Sequence, residues 1–450
     1  MPPSNRGDAP FATLRRALRR WDLTAIGINQ VIGSAIFLLP ASIAVRIGGW
    51  SAIGVVFAGL ASMLIALCLA ESASRFESTG GPYLFTRAAF GRFAGFEVGW
   101  MQWFVRALAY AAILNGLALA LGFYWPFVTS GVGRVLLVTS VVAALAWINV
   151  RGVRQSSLVI TLLTIGKLLP LAIFIVTGLF FVNWSRMAPS GAISLSQAGS
   201  AALLLIFAFG GYEVIPVPAG EARHPARHLP FALVATILAA TAVLALVQLV
   251  AQGILPDDLA QSETPLADAA LISLGGAGAL MIGVGSVVSM MGTNAGQVLT
   301  GSRMLFALAE NGELPSWFAR IHPRFRTPAN TVLFTSSVAF ALALTGSFEA
   351  LAAASAVARL VVYGAACAST VQLRRPGYAQ AVRPATFVIP FGPSVPVLAL
   401  AVVVAVLAGA TGQQLLGGLS ALVVGAALFI ITGWLRNRVN RRAMNERSSS

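Results

Sequence analysis

An all-α integral membrane protein of about twelve transmembrane helices is the fold class this sequence predicts, with ten helices in two inverted halves of five and two more appended. Three observations predict it. The chain is 57% hydrophobic and 10% charged, with a mean hydropathy of +0.83, which is more apolar surface than water-soluble domains of ordinary size can hide. Its apolar runs recur at about 18 residues or more, the length that crosses ~30 Å of hydrocarbon. Small residues also interrupt the first run of each half: Gly33, Ser34 and Ala35, with Pro40 following, in "INQVIGSAIFLLP", and Gly210 and Gly211, with Pro216 and Pro218 following, in "LIFAFGGYEVIPVPAGE". Two helices broken at corresponding places point to an inverted repeat with a binding site at the breaks. For either stretch alone, close packing of small residues is the plainer reading.

The spans run in order from 22 to 46, 49 to 75, 93 to 122, 133 to 150, 156 to 182, 196 to 218, 229 to 253, 278 to 308, 329 to 346, 349 to 373, 393 to 410 and 414 to 435. A basic tail, 1 to 21, precedes a ten-helix core, 22 to 373, whose halves are 22 to 182 and 196 to 373. A linker and the last two helices fill 374 to 435, and a second basic tail runs from 436 to 450. The first span follows "TLRRALRRW" and lacks a small-residue cleavage site, so it reads as a retained helix rather than a signal peptide.

Arginine in the loops predicts orientation, because basic loops stay on the cytoplasmic side. Arg15, Arg16, Arg19 and Arg20 lie in the first tail, and alternate loops hold Arg75, Arg87 and Arg92, then Arg151 and Arg154, then Arg223 and Arg227, then Arg320, Arg324 and Arg326, then Arg374, Arg375 and Arg383. The last tail adds Arg436, Arg438, Arg441, Arg442 and Arg447. The other loops carry Arg46, Arg134 and Arg186 singly, or only acids as in "LPDDLAQSETPLAD". Both termini are therefore expected in the cytoplasm, with the protein in the cell's inner membrane. This topology and the anionic inner leaflet account for the net charge of +15, so nucleic acid is not an expected partner.

Charges inside the spans are functional candidates by default. Lys167, the only lysine, lies about eleven residues from the inner end of its span, ~16 Å deep and beyond comfortable reach of bulk water. Burial disfavours the charged form of any amine, which makes Lys167 a candidate proton carrier. Glu213, Arg106 and Arg359 are the other deep charges. Glu97, Glu213 and backbone carbonyls are the candidate partners of the two arginines. Cys68 and Cys367 sit in apolar runs and read as small buried hydrophobes. His224, His228 and His322 lack the cysteines or clustered acids of a zinc site. No metal or other cofactor is expected.

Several motifs together resemble the amino acid, polyamine and organocation transporter superfamily. "VIGSAIFLLP" is similar to its first-helix signature, and "FAFGGYEVIPVPAGEARHPARHLPFAL" to its broken sixth helix and the cytoplasmic motif after it. "GKLLPLAIFIVTG" resembles the fifth helix, "ESTGGPYLFTRAAFG" the short helix of the first inner loop, and "GSRMLFALAENGELPSWFARIHPRFRTP" the end of the eighth helix. The resemblance implies the LeuT-like fold with broken helices 1 and 6. It also implies a substrate site in which Gly33 opens the break and the free amides of Ser34, Ala35 and Ile36 take a carboxylate. Carbonyls of Val31, Phe207, Ala208 and Gly210 would hold an ammonium, with Phe207 as an aromatic lid.

The resemblance further implies that the Lys167 ammonium replaces a bound sodium ion, touching the carbonyls of Asn29 and Ile32 and the hydroxyl of Thr293, with Ser289 as second candidate. Glu213 would act in gating, and Glu221, Arg223 and Arg227 would pair with the segment between helices 8 and 9. Ala35 departs from the family's glycine, so its methyl group is expected to crowd the carboxylate site or stiffen the unwound backbone. Val31, Ile36, Phe207, Phe209 and Gly211, with Met290 and Met291 nearby, line a pocket in which no acid is evidently placed for a cationic side chain. The function expected is proton-coupled uptake of neutral amino acids, with an amino acid or amine exchanger as the alternative. A transporter-like nutrient sensor is a remoter one. An enzyme is not expected, because no intramembrane catalytic cluster is present. Substrate identity, symport against exchange and oligomeric state are not legible in the sequence.

Overall fold

In a computed structural model the predicted first span is two helices, α1 (Arg20–Val31) and α2 (Ala35–Ile47), parted by Ile32, Gly33 and Ser34. The helix stops at Ile32, whose φ of −78° and ψ of 83° lie outside helical space. The structure describes residues 18–78, 80–151, 156–189, 191–379 and 382–448. Arg15, Arg16 and Arg154 lie outside them, as does the tail before residue 18.

The chain continues through α3 (Ser51–Ala73), the short α4 (Pro82–Phe90), α5 (Arg92–Gly122), α6 (Gly131–Arg151), α7 (Ser156–Gly178) and α8 (Leu195–Phe209). It ends with α9 (Pro225–Ile254), α10 (Pro265–Glu310), α11 (Ala329–Thr345), α12 (Phe348–Leu373), the one-turn α13 (Pro376–Ala379), α14 (Ser394–Ala408) and α15 (Gly412–Ser448). Among the described residues seven stretches are long and apolar enough to cross a bilayer, and four shorter apolar helices accompany them. Large apolar side chains face outward, including Leu195, Phe180 and Val132 at 90%, 85% and 75% exposure. Water would penalise that surface and lipid does not.

Three boundaries differ from expectation, each for a local reason. The sixth span stops at Phe209, and residues up to Glu221 form only the 3₁₀ turns Tyr212–Val214 and Ala219–Glu221. Gly210 is extended, Gly211 has φ of 130°, and Pro216 and Pro218 have no N–H to rebuild an α-helix. Part of the segment read as an acidic loop belongs to α10, where Gly275, at φ 69° and ψ −165°, turns the chain before the predicted long span. Helix α15 runs through most of the predicted C-terminal tail.

α5 is the central post and the most enclosed of the long spans. It packs against α10, α12, α11 and α15. Trp103 Nε1 donates to Thr335 Oγ1 at 3.1 Å on α11, and Trp100 Nε1 to the Ala421 carbonyl at 2.8 Å on α15. Each indole thereby buries its ring and satisfies its N–H. Pro230 in α9 cannot bond the Ala226 carbonyl, and Thr386 Oγ1 takes that acceptor at 2.8 Å. The two breaks, at 32–34 and 210–211, lie close together in the interior, where a Cβ at Gly211 would stand 2.7 Å from the Gln30 backbone next to the first break.

Candidate functional site

Unwinding between α1 and α2 leaves backbone groups of both signs. The amides of Ser34, Ala35 and Ile36 make no backbone hydrogen bond among the described residues. The Ser34 hydroxyl, on a residue 1% exposed, also has no partner. Donors at the start of α2 suit a carboxylate. On the other side of the break, Lys167 Nζ donates to the carbonyls of Asn29 at 2.7 Å and Ile32 at 2.6 Å, and no carboxylate pairs with it among the described residues.

The two hydroxyls expected on Lys167 are engaged elsewhere. Thr293 Oγ1 bonds back to the Ser289 carbonyl at 2.9 Å, the usual outlet for threonine inside a helix. Ser289 Oγ donates to the Gly33 carbonyl at 3.3 Å. Ser289 thus braces the unwound loop, Thr293 is bonded within α10, and neither hydroxyl is hydrogen-bonded to the ammonium among the described residues. A Cβ at Gly33 would lie 3.3 Å from Thr293 Cγ2, so the loop sits directly on α10.

At the second break the Phe207 carbonyl accepts from the Gly210 amide at 3.0 Å and from Arg359 Nη1 at 3.5 Å, and the Val31 carbonyl accepts from the Gly33 amide at 2.9 Å. Two of the carbonyls expected to hold a substrate ammonium are thus already engaged. The Phe207 ring meets Phe348 edge-on at 6.1 Å. Ala35 opens α2 in helical conformation, and positive φ among non-glycine residues is confined, in the described chain, to Arg326 and Phe391. The expected stiffening of the backbone at Ala35 is therefore corrected. Ala35, Ile36, Ala208 and Phe209 line an apolar cleft with Pro40, Val55 and Leu244, which places Phe209 in packing between helices.

Gly211 is needed twice over. Its φ is 130°, and a Cβ there would stand 2.7 Å from the Gln30 backbone. Gly211→Ala is expected to destabilise the protein by more than ~2 kcal/mol, combining backbone strain with displacement of α1. Thermal unfolding in detergent checks it, and an unchanged midpoint would refute the close packing of the two breaks.

Beside this glycine, Glu213 ties three elements together. Its Oε1 accepts from Arg106 Nη2 of α5 at 2.6 Å and from Arg359 Nε of α12 at 3.1 Å. Its Oε2 accepts from the Gly211 amide at 2.8 Å and the Tyr363 hydroxyl at 2.9 Å. Arg106, Arg359 and Glu213 are 3%, 2% and 1% exposed. Of the partners weighed for the arginines, Glu213 and the Phe207 carbonyl are found. Glu97 instead lies against the Gly425 region of α15, and neither of its carboxylate oxygens has a hydrogen-bond partner among the described residues.

Contacts close both ends of this interior. Glu349, at the start of α12, accepts from Ser42 and, at 3.1 Å, from Arg46 Nη2 of α2. At the opposite end buried Glu313, after α10, accepts from the Tyr83 hydroxyl of α4 at 3.0 Å and pairs with Arg87 at 3.5 Å. Burial and this carboxylate push the Tyr83 phenol up to about 12, so it stays a donor throughout the physiological range. Among the described residues the motif after α8 makes no hydrogen bond or ion pair with the segment before α11, contrary to expectation. It pairs with the N-terminal strand-like residue Leu18, whose amide donates to the Glu221 carbonyl and whose carbonyl accepts from the Arg223 amide, both at 2.9 Å.

Residues 18–435 match the family model described as amino acid permease. The chain belongs to that family. Within the amino acid, polyamine and organocation superfamily, this permease is a multi-pass membrane protein. It is 29% identical over 387 residues to the serine/threonine exchanger SteT of Bacillus subtilis, covering 83% of this chain and 86% of the relative. It is 28% identical over 412 residues to the branched-chain amino acid permease BcaP of the same organism, covering 86% of each. It is 31% identical over 366 residues to the uncharacterized transporter Rv1999c of Mycobacterium tuberculosis, covering 80% of this chain and 81% of the relative. Two of these relatives are named for amino acid transport and the third as a transporter, and none is named as an enzyme.

Sequence reading missed several residues of the permease's interior. Tyr363 lies four residues after Arg359 on one face of α12, so the spacing carried a usable signal. Gln297, which accepts from Arg106 Nη1 at 3.3 Å, and Glu349, which pairs with Arg46, carried none. Their partners come from helices remote in sequence.

Proposed function

We propose that this permease takes up neutral amino acids with protons by alternating access between two inverted five-helix halves, with both termini in the cytoplasm. The observation that carries the proposal is Lys167: an ammonium buried at the unwound end of α1, held by two carbonyls and, among the described residues, no carboxylate. It stands where a bound cation would otherwise balance those carbonyls, so loss and gain of its proton would be felt directly by the break that holds the substrate. The free amides of Ser34, Ala35 and Ile36 support a carboxylate site. Glu213 already accepts four hydrogen bonds, which supports the exclusion of cationic side chains. Phe207, packed on Phe348, is the lid, and Glu213 with its arginines is the knot that changes partners as the carrier turns over.

Exchange is the second reading, favoured by the likeness to the serine/threonine exchanger. Purified permease in proteoliposomes separates the two. Accumulation of serine, alanine or leucine into an empty lumen under an inward proton gradient is expected. A strict requirement for internal amino acid would establish exchange instead, and uptake of none of the twenty amino acids would end both readings.

A further inference from the structure

The charges around the α8 break do not balance. Arg106 and Arg359 bring two positive charges to the single carboxylate of Glu213, and all three side chains are at least nine-tenths buried. Lys167 adds a third cation when protonated, with no acid paired to it among the described residues. An uncompensated charge away from water costs several kcal/mol, and a chain keeps one only where something arrives to neutralise it or where the charge is used. Glu213 cannot take up the excess, because both its oxygens already accept two donors each.

The two guanidinium groups are not equivalent. Arg106 spends Nη2 on Glu213 and Nη1 on Gln297, and it lies between α5 and α10. Arg359 rests on Gly210, where a Cβ would run into its guanidinium, and reaches the Phe207 carbonyl. Its Nη2 makes no hydrogen bond among the described residues. Arg106 likewise keeps its Nε without a hydrogen bond among the described residues, but of the two spare donors only that of Arg359 belongs to the residue that touches the break. Nearby, the Gln30 Oε1 and the whole Asn294 side-chain amide, on residues 7% and 0% exposed, also lack partners.

We propose that the permease also accepts amino acids whose side chain ends in a carboxylate, and that Arg359 receives that group. The proposal rests on the transport reading above and adds a substrate class to it. A side-chain carboxylate brings the missing negative charge, and guanidinium is the donor best matched to it in shape. A cationic side chain would raise the imbalance instead. Neutral substrates leave it as it is.

The test compares uptake of serine, aspartate and glutamate by wild-type permease, Arg359→Gln and Arg359→Lys in proteoliposomes. Removing Arg359 leaves Arg106 and Glu213 as a balanced pair, so the glutamine variant is expected to fold. Wild type is expected to carry or be competitively inhibited by at least one acidic amino acid. Arg359→Gln is expected to raise its KM or inhibition constant at least about tenfold relative to that for serine, as the loss of a charge-assisted hydrogen bond requires. Should that variant fail to reconstitute, the lysine variant decides by the same ratio, because lysine cannot reproduce the guanidinium fork. Serine uptake with no acidic substrate or inhibitor would overturn this inference and leave the transport reading intact. An equal change for serine and the acids would overturn it too, by showing a merely structural role for Arg359. Uptake of no amino acid at all would sink the transport reading and this inference together.

Discussion

Lys167→Ala abolishes accumulation of amino acid driven by an inward proton gradient, while replacing external sodium by choline leaves the wild type unchanged: this is the expected result in proteoliposomes. The ammonium reaches the Asn29 and Ile32 carbonyls from α7, at 2.7 and 2.6 Å. Alanine removes this charge-assisted donor from the unwound end of α1, a loss on the order of 1–3 kcal/mol for each such bond. Among the described residues no other titratable side chain bonds to those carbonyls. Counterflow of labelled against unlabelled amino acid, without a gradient, reports whether the variant is folded and able to bind. Gradient-driven accumulation undiminished in the alanine variant, or uptake by wild type that depends on sodium, would refute the coupling role.

A larger effect on stability is expected at Glu213. Glu213→Gln removes the charge that pairs with both Arg106 and Arg359 and leaves two guanidinium groups buried without a counter-ion. Breaking a buried pair from one side costs about 3–5 kcal/mol, and here two pairs share the partner that is lost. The midpoint of thermal unfolding in detergent should fall far more for Glu213→Gln than for Arg359→Gln, which keeps one balanced pair. A combined Glu213→Gln, Arg106→Gln and Arg359→Gln variant should recover much of the loss, because it buries no charge. Equal midpoints for wild type and Glu213→Gln would show that the arginines are neutralised in some other way.

The depth of Lys167, its distance from other charges and the unwinding at Gly33 and Ser34 were legible because each depends on a short stretch of chain. Apolar length marks depth, and small residues with proline mark a break. The early end of α8 was not legible, since a glycine pair tolerates both a brief kink and a full stop. Packing of Gly211 on the Gln30 backbone selects the latter. The hydroxyls of Thr293 and Ser289, expected to accept from the Lys167 ammonium, instead donate to the Ser289 and Gly33 carbonyls. Which carbonyl a hydroxyl meets depends on a rotation of the side chain that spacing along a helix does not specify.

By itself, then, the sequence determined a membrane-embedded helical protein, the places where two helices break and the identity of the charges that stay inside it. These follow from the length of apolar runs, backbone chemistry and the cost of burying a charge. Only the tertiary structure decided that Glu213 serves two arginines at once, that Arg359 rests on the α8 break, and that Lys167 is held by carbonyls alone. Glu213, Arg106 and Arg359 are 107 and 146 residues apart in sequence, measured from the glutamate. A local pattern cannot select among such distant partners. Their pairing is decided when α5, α8 and α12 pack together and water is excluded, because each charge must then find its partner within the few ångströms that packing leaves.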